Sequence, residues 1–248
     1  MKKITVLLVM LLSMSIFSQT WLKIQKTSGG TDSVKLSDIQ RLYFTTQSGG
    51  TTGSPCPGIS TVAYSGETYN TVQVGSQCWL RENLDVGTRI NGIQAQSNNG
   101  TIEKYCYSDN AANCTFYGGL YSWDEAMQYS TASGTKGICP AGWHIPTMTE
   151  FQTLSNTVGG DGNALKAKGQ GSVSGTGTNT SGYSALLAGY RNDGGGFGYL
   201  GYYAFFWSST EYGATSASGI GLGNNDGGVS SGNGSVKAFG YSVRCVKD

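Results

Sequence analysis

Apolar and polar residues alternate along TVAYSGETYNTVQVGSQCWL, residues 61–80, and the alternation breaks at Gly66 and Glu67. A period of two interrupted by a Gly-Glu turn predicts a β-hairpin. The period changes in two later stretches. In YSWDEAMQYS, Ser122 stands three residues before Glu125, and in PTMTEFQTLSNTV, Thr147 stands three before Glu150. Both are capping-box patterns that open helices. Phe151, Leu154 and Val158 then recur at spacings of three and four, which puts them on one helix face. From Gly159 onward the chain is Gly, Ser, Asn and Tyr with sparse apolar positions. That composition predicts loops and edge strands, closing on a strand at YSVRCVK. Near the N-terminus, WLKIQKTSGGTDSVKLSDIQRLYFTT reads as two short strands around a Gly-Gly turn. A turn opened by Ser37 and Asp38 and an apolar stretch at 42–44 follow, all too small to hold a core alone.

The first residues, MKKITVLLVMLLSMSIFSQTW, place Lys2 and Lys3 before an apolar run followed by small residues. This is the pattern of a secretory signal peptide, with cleavage expected after Ser18. The run is shorter than the about 20 apolar residues of a membrane span, so no transmembrane segment is expected after cleavage. No Cys near that position offers an acceptor for a lipid. The expected organisation is a signal peptide at 1–18, a short β-rich module at 19–46, a Gly/Ser/Thr linker at 47–55 and a main domain at 56–248. The product is expected to be secreted or held at the cell surface or in the periplasm.

Export changes the reading of the six cysteines, since an even number in an oxidising compartment implies disulfides, and no CxxC or Cys/His pairing suggests a metal site. Cys106 and Cys114 flank a hairpin-sized loop and are expected to pair. Cys139 and Cys245 would tie the middle of the chain to its last strand, which leaves Cys56 for Cys78. The formal net charge is +1 and charged residues are few, so nucleic acid is excluded as a partner, because phosphate recognition needs clustered Lys and Arg. The 39 Gly make the chain loop-rich, but recurring Trp, Tyr, Phe and Leu keep it able to fold.

Candidate chemistry is sparse. Asp124 and Glu125 are adjacent carboxylates, but in the first turn of a helix they complement its dipole and do not face a common substrate. His144, in GWHIP, is the only histidine and would have to serve any Ser/His/Asp or Cys/His site. Its place between Trp143 and a helix start favours a packed structural role. Oxygen-rich stretches surround Asp161, Asp193 and Asp226, yet none has the ligand spacing of a calcium loop, and Asn, Asp and Gly equally serve tight turns. No cofactor is expected, and calcium lacks a motif.

QCWLRENL, GGLYSWDEAM, CPAGWHIPTMTEF, NTSGYSALLAGYRN, FFWSSTE and the terminal GYSVRCVKD, in that order, resemble the Fibrobacter succinogenes major paralogous domain, a family of secreted bacterial proteins. The resemblance covers 56–248. It implies an α+β, C-type lectin-like fold, with two helices, a small twisted antiparallel sheet, long Gly-rich loops and disulfide staples, and with N- and C-terminal strands brought together. The Glu-Pro-Asn and Trp-Asn-Asp triplets of calcium-dependent lectins are missing, and so is the copper-binding cysteine pair of formylglycine-generating enzymes. Neither activity carries over. The region 189–248 is also similar to the variable segment of proteins diversified by retroelements, whose interchangeable surface residues sit on a fixed frame. The frame would be AGYR, FFWSSTE, Leu222, Val229, Lys237 and GYSVRCV. The variable, ligand-binding positions would be Tyr199, Tyr202, Tyr203, Tyr212, Thr215, Ser216, Ser218, Asn224, Asn225 and Asn233.

GYLGYYAFFWSSTEY, residues 198–212, carries seven aromatics in fifteen positions. Phe205, Phe206 and Trp207 are expected in the core. The Tyr residues around them are expected to form an exposed recognition face, as in paratopes rich in Tyr, Ser, Gly and Asn. The function expected is a noncatalytic module outside the cell that binds a glycan or a protein. An extracellular enzyme of the formylglycine-generating type, or a purely structural envelope protein, are the alternatives.

Overall fold

A computed structural model of the chain describes residues 21–25, 31–35 and 53–248. The expected signal peptide, the expected Gly-Gly turn at 29–30, most of the expected linker and the stretch at 36–46 lie outside them. The chain divides into two units, Met1–Phe44 and Thr45–Asp248. In the first, β1 (Trp21–Gln25) and β2 (Thr31–Lys35) form an antiparallel pair in register from Trp21 opposite Lys35.

The second unit is built on two five-stranded sheets. One holds β3 (Thr61–Tyr64), β4 (Glu67–Val74) and β5 (Gln77–Leu80) as a meander, the expected hairpin extended by a strand. Its far side is completed by β14 (Val246–Lys247), which pairs with β5 and with β8 (Trp143–His144). The other runs in the order β10 (Phe197–Leu200), β9 (Ala188–Arg191), β11 (Tyr203–Gly213), β12 (Ser216–Gly223), β13 (Ser230–Val236). A two-stranded parallel pair, β6 (Thr88–Ile90) and β7 (Glu103–Tyr105), stands beside them.

The helices are short: α1 (Ala111–Tyr117), α2 (Trp123–Ala126), α3 (Met148–Thr157) and α4 (Gly162–Leu165). Thr147 and Glu150 form the complete reciprocal capping box, and α3 is the longest helix described. At α2 only half of the box forms. Ser122 accepts from the Glu125 N–H, but the Ser122 N–H is taken by Gln96 and the Glu125 carboxylate turns inward to the Glu103 N–H at 2.9 Å and the Tyr129 hydroxyl at 2.7 Å. Gln128 and Tyr129 then enter the left-handed region, and the helix ends after one turn. Among the described residues no helix is long and apolar enough to cross a membrane.

The protein is therefore mainly β, and the expected two-helix α+β, C-type lectin-like architecture is not the one that forms. The difference arises in the last third, whose composition predicts loops and edge strands but which supplies the longest strand described, β11, and its partners β12 and β13. Two hydrophobic clusters sandwich the β11–β12 hairpin. Trp207, Ala217 and Tyr241 belong to one; Ala204, Phe206, Ile220 and Leu222 belong to the other, with Trp79 and Phe151. A strand covered on both faces loses the alternation that would reveal it. Its glycines are there because neighbours come close: a Cβ on Gly219 would lie 2.4 Å from the Phe206 carbonyl oxygen.

Three disulfides close the unit, Cys56–Cys78, Cys106–Cys114 and Cys139–Cys245, the pairs expected. The loop between Cys106 and Cys114 is not a hairpin, however; it contains most of the first turn of α1, capped by Asn110. The segment 240–246 is the seam of the unit. It bridges Tyr121 and Phe206 before becoming β14, and its Arg244, fully buried, donates to the carbonyls of Arg81 and Tyr183 and to Asn83.

Candidate functional site

The turn from β10 into β11 is tight: the Tyr202 N–H donates to the Tyr199 carbonyl at 2.9 Å. Tyr199 adopts φ +62°, a left-handed conformation uncommon for a side chain of its size. Its ring stacks on Tyr190 at 5.7 Å and meets Tyr203 edge-on at 5.3 Å. From there stacked rings descend through Phe205 and Tyr241 to the buried Trp207, whose indole N–H donates to the Tyr121 carbonyl at 2.8 Å. Phe205 is only partly buried, because it links surface to core in this column, whereas Phe206 and Trp207 are fully buried.

Tyr199, Tyr202 and Tyr203 remain 54%, 59% and 38% exposed, so rings that are apolar in body and polar at the tip stand in solvent on a rigid foundation. Two other loops join them. The Asn224 N–H donates to the Tyr202 carbonyl at 2.8 Å, and the Asn224 carbonyl accepts from the Ser172 N–H at 2.6 Å. Ser174 caps the Asn225 carbonyl at 2.7 Å. This places Val173, at φ +51° and 88% exposed, at the same end of the sheet. A Cβ on Gly175 would lie 2.2 Å from the Asn224 carbonyl oxygen, so the loop needs glycine to come this close. Nothing in the local pattern around Val173 announces this role.

The ten expected positions do not share one surface. Tyr199, Tyr202, Tyr203, Asn224 and Asn225 gather at this end. Tyr212, Thr215 and Ser216 lie at the β11–β12 turn, about 30 Å away along the strand by its rise per residue. Tyr212 there faces Gly234 of β13, where a Cβ would sit 3.2 Å from its ring. Ser218 is not a surface residue at all: it is buried in β12, its carbonyl accepting from the Ser208 hydroxyl at 2.8 Å, because both faces of that strand are covered. The backbone of Asn233 lies in β13, and its side chain is outside the described residues.

Two of the three oxygen-rich stretches have structural employment. Asp161 caps α4 through the Asn163 N–H and Asp226 closes its own turn on the Gly228 N–H, both at 2.9 Å. Between these stretches lies the fully buried Lys166, donating to the carbonyls of Gly223 at 2.5 Å and Asp226 at 2.7 Å. Burial lowers its pKa, and the charges of Asp226 and Asp161 oppose that. The cation that organises the Asn224–Asp226 loop is thus the chain's own ammonium group. His144 is held at both ring nitrogens, by Glu150 at 2.8 Å and Asp248 at 2.7 Å. The Glu150 contact raises its pKa, against burial and with help from Asp248.

The profile of the Fibrobacter succinogenes major domain matches residues 72–247. Comparison with curated proteins and with solved structures returned no match. That match runs from the end of β4 to β14 and takes in the second five-stranded sheet, the aromatic column and the exposed tyrosines, and on it the chain belongs to the Fibrobacter succinogenes major domain family.

Proposed function

We propose that the protein is an exported, noncatalytic binding module that grips a protein surface outside the cell with the Tyr199–Tyr203 end of its second sheet. The observation carrying this reading is the exposed, uncharged group of Tyr199, Tyr202, Tyr203 and Val173, flanked by Asn224 and Asn225 and backed by stacked rings. Rigid exposed Tyr beside adaptable carboxamides suits macromolecular recognition at low entropic cost. The leader-like first 18 residues and the three disulfides support an extracellular setting. Against catalysis stand the two carboxylate contacts that occupy His144 and the disulfides that take up the six cysteines. The test is a protein array and a glycan array probed in parallel with the purified chain and its Tyr202→Ala variant. Protein spots lost by the variant support the reading; glycan spots lost by it would replace the protein ligand with a sugar polymer. Binding that survives replacement of all three tyrosines would sink it.

A further inference from the structure

A cleft of about 320 Å³ opens in the second unit on residues that include none of the exposed tyrosines. Its walls come from the start of β4, the segment after β5 and the C-terminal turn of α1, with Arg244 among the lining groups. The size is at the small end of ligand sites, which begin at about 300 Å³.

The charges along this cleft cancel. Asp85 is already paired with Lys104 at 2.5 Å. That leaves two guanidinium groups, Arg81 and Arg244, and two carboxylates, Glu67 and Glu82. An anion would meet the carboxylates and a cation the guanidiniums, so a charged ligand would be desolvated without net compensation. Hydrogen-bonding capacity, in contrast, is left over. Arg244 spends its donors on backbone carbonyls and Asn83, and Glu82 holds Asn70 through both oxygens. Arg81 uses only Nε, on the Ser184 hydroxyl at 3.1 Å, and among the described residues its two terminal nitrogens donate to nothing. The Glu67 carboxylate likewise accepts from no described residue. The Tyr69 hydroxyl accepts the Asp85 N–H at 3.1 Å, and burial pushes its pKa up to about 12, so it keeps its proton.

A neutral ligand rich in adjacent hydroxyls, each both donor and acceptor, fits unspent donors beside an unspent acceptor. We propose that this cleft binds a single neutral sugar residue, with Arg81 donating to its hydroxyls and Glu67 accepting from them. The site is separate from the tyrosine surface and does not depend on that surface having a ligand.

Saturation-transfer NMR on the full chain tests it, using methyl glucoside, methyl galactoside and methyl mannoside, with methyl glucuronide and glucosamine as charged counterparts. The expected result is binding of at least one neutral glycoside, weakened about tenfold or more by Glu67→Gln and by Arg81→Gln. The Glu67 side chain bonds to no described residue and its backbone pairing in β4 is untouched by the substitution, so Glu67→Gln reads the site even if Arg81→Gln disturbs Ser184. Tyr202→Ala should leave glycoside binding intact. Absence of binding by every neutral glycoside, tighter binding of either charged sugar, insensitivity to Glu67→Gln, or loss in Tyr202→Ala would each overturn the proposal.

Discussion

Trp207 and Tyr202 are five positions apart and do opposite things. The Trp207 indole is enclosed, stacked on Tyr241 at 4.3 Å and hydrogen-bonded through its N–H. Trp207→Ala should cost about 3–5 kcal/mol of folding free energy through the cavity it leaves, measured by urea denaturation. Tyr202→Ala should change stability by less than about 0.5 kcal/mol, as exposed sites do. Its effect should fall on ligand affinity, by about 2 kcal/mol if Tyr202 is a hot spot. His144 and Glu150 form a pair whose charges matter in opposite pH ranges. The folded pKa of His144 is raised above its ordinary 6.5, so its contribution is complete below that value and is lost as pH rises through the folded pKa. Burial alone would raise the Glu150 pKa, but the His144 and Thr147 contacts bring it below its ordinary 4.5. The stability from Glu150 is present above that value and is lost as pH falls through the folded pKa. The melting temperature should therefore peak in the mildly acidic window between, and the decline toward neutral pH should flatten in His144→Gln. An unchanged decline in that variant would show that the pair does not set the profile.

Elements are held by two devices, covalent and steric. Cys139 and Cys245 are 106 residues apart, and their bond anchors β14 between β5 and β8. Removing it with Cys139→Ala and Cys245→Ala together should cost up to about 4.7 kcal/mol in the chain-entropy account. Hydrogen exchange in the same variant should show β14 opening before the rest, whereas uniform loss of protection would contradict its role as a local staple. The steric device is Gly219, with the Phe206 carbonyl directly over it. Gly219→Ala should destabilise by about 1–3 kcal/mol through overpacking, although alanine is a better strand former by propensity. A neutral result would mean that β11 and β12 can spread apart to admit the methyl group.

Across the second unit, the two hydrophobic clusters share strands. Leu80 of β5 lies in one and Trp79 in the other, and β11 feeds both from its two faces. Neither cluster can dissolve without exposing the strand that forms the other, so the unit should unfold as one cooperative body. Far-ultraviolet circular dichroism and tryptophan fluorescence should report coincident denaturant transitions. Separate midpoints would show that the clusters melt independently. Such rigidity is what lets an exposed turn hold Tyr199 at positive φ, because only an over-determined surrounding sustains that conformation.

Most of what depends on neighbours in sequence was legible in the sequence; the half-formed box at Ser122 is the exception, because Gln96 and Glu103 take its partners. Thr147 and Glu150 make the box their spacing announced, residues 61–74 make the hairpin their alternation announced, and the six cysteines pair as their positions suggested. These arise from contacts within a turn or a pleat, or from a small set of cysteine partners. What depended on distant segments was not legible. Residues 216–223 read as loop or edge strand because glycine weakens a strand in isolation, yet burial on both faces makes an interior strand of them. The resemblance of motifs identified the family, but the two five-stranded sheets, with only short helices beside them, contradicted the fold expected from it. The candidate recognition residues shared a composition, and strand length then carried them to opposite ends of a hairpin. Val173 and Lys166 enter only through hydrogen bonds that bridge loops some fifty residues apart, and no local pattern of polarity encodes which loops will meet.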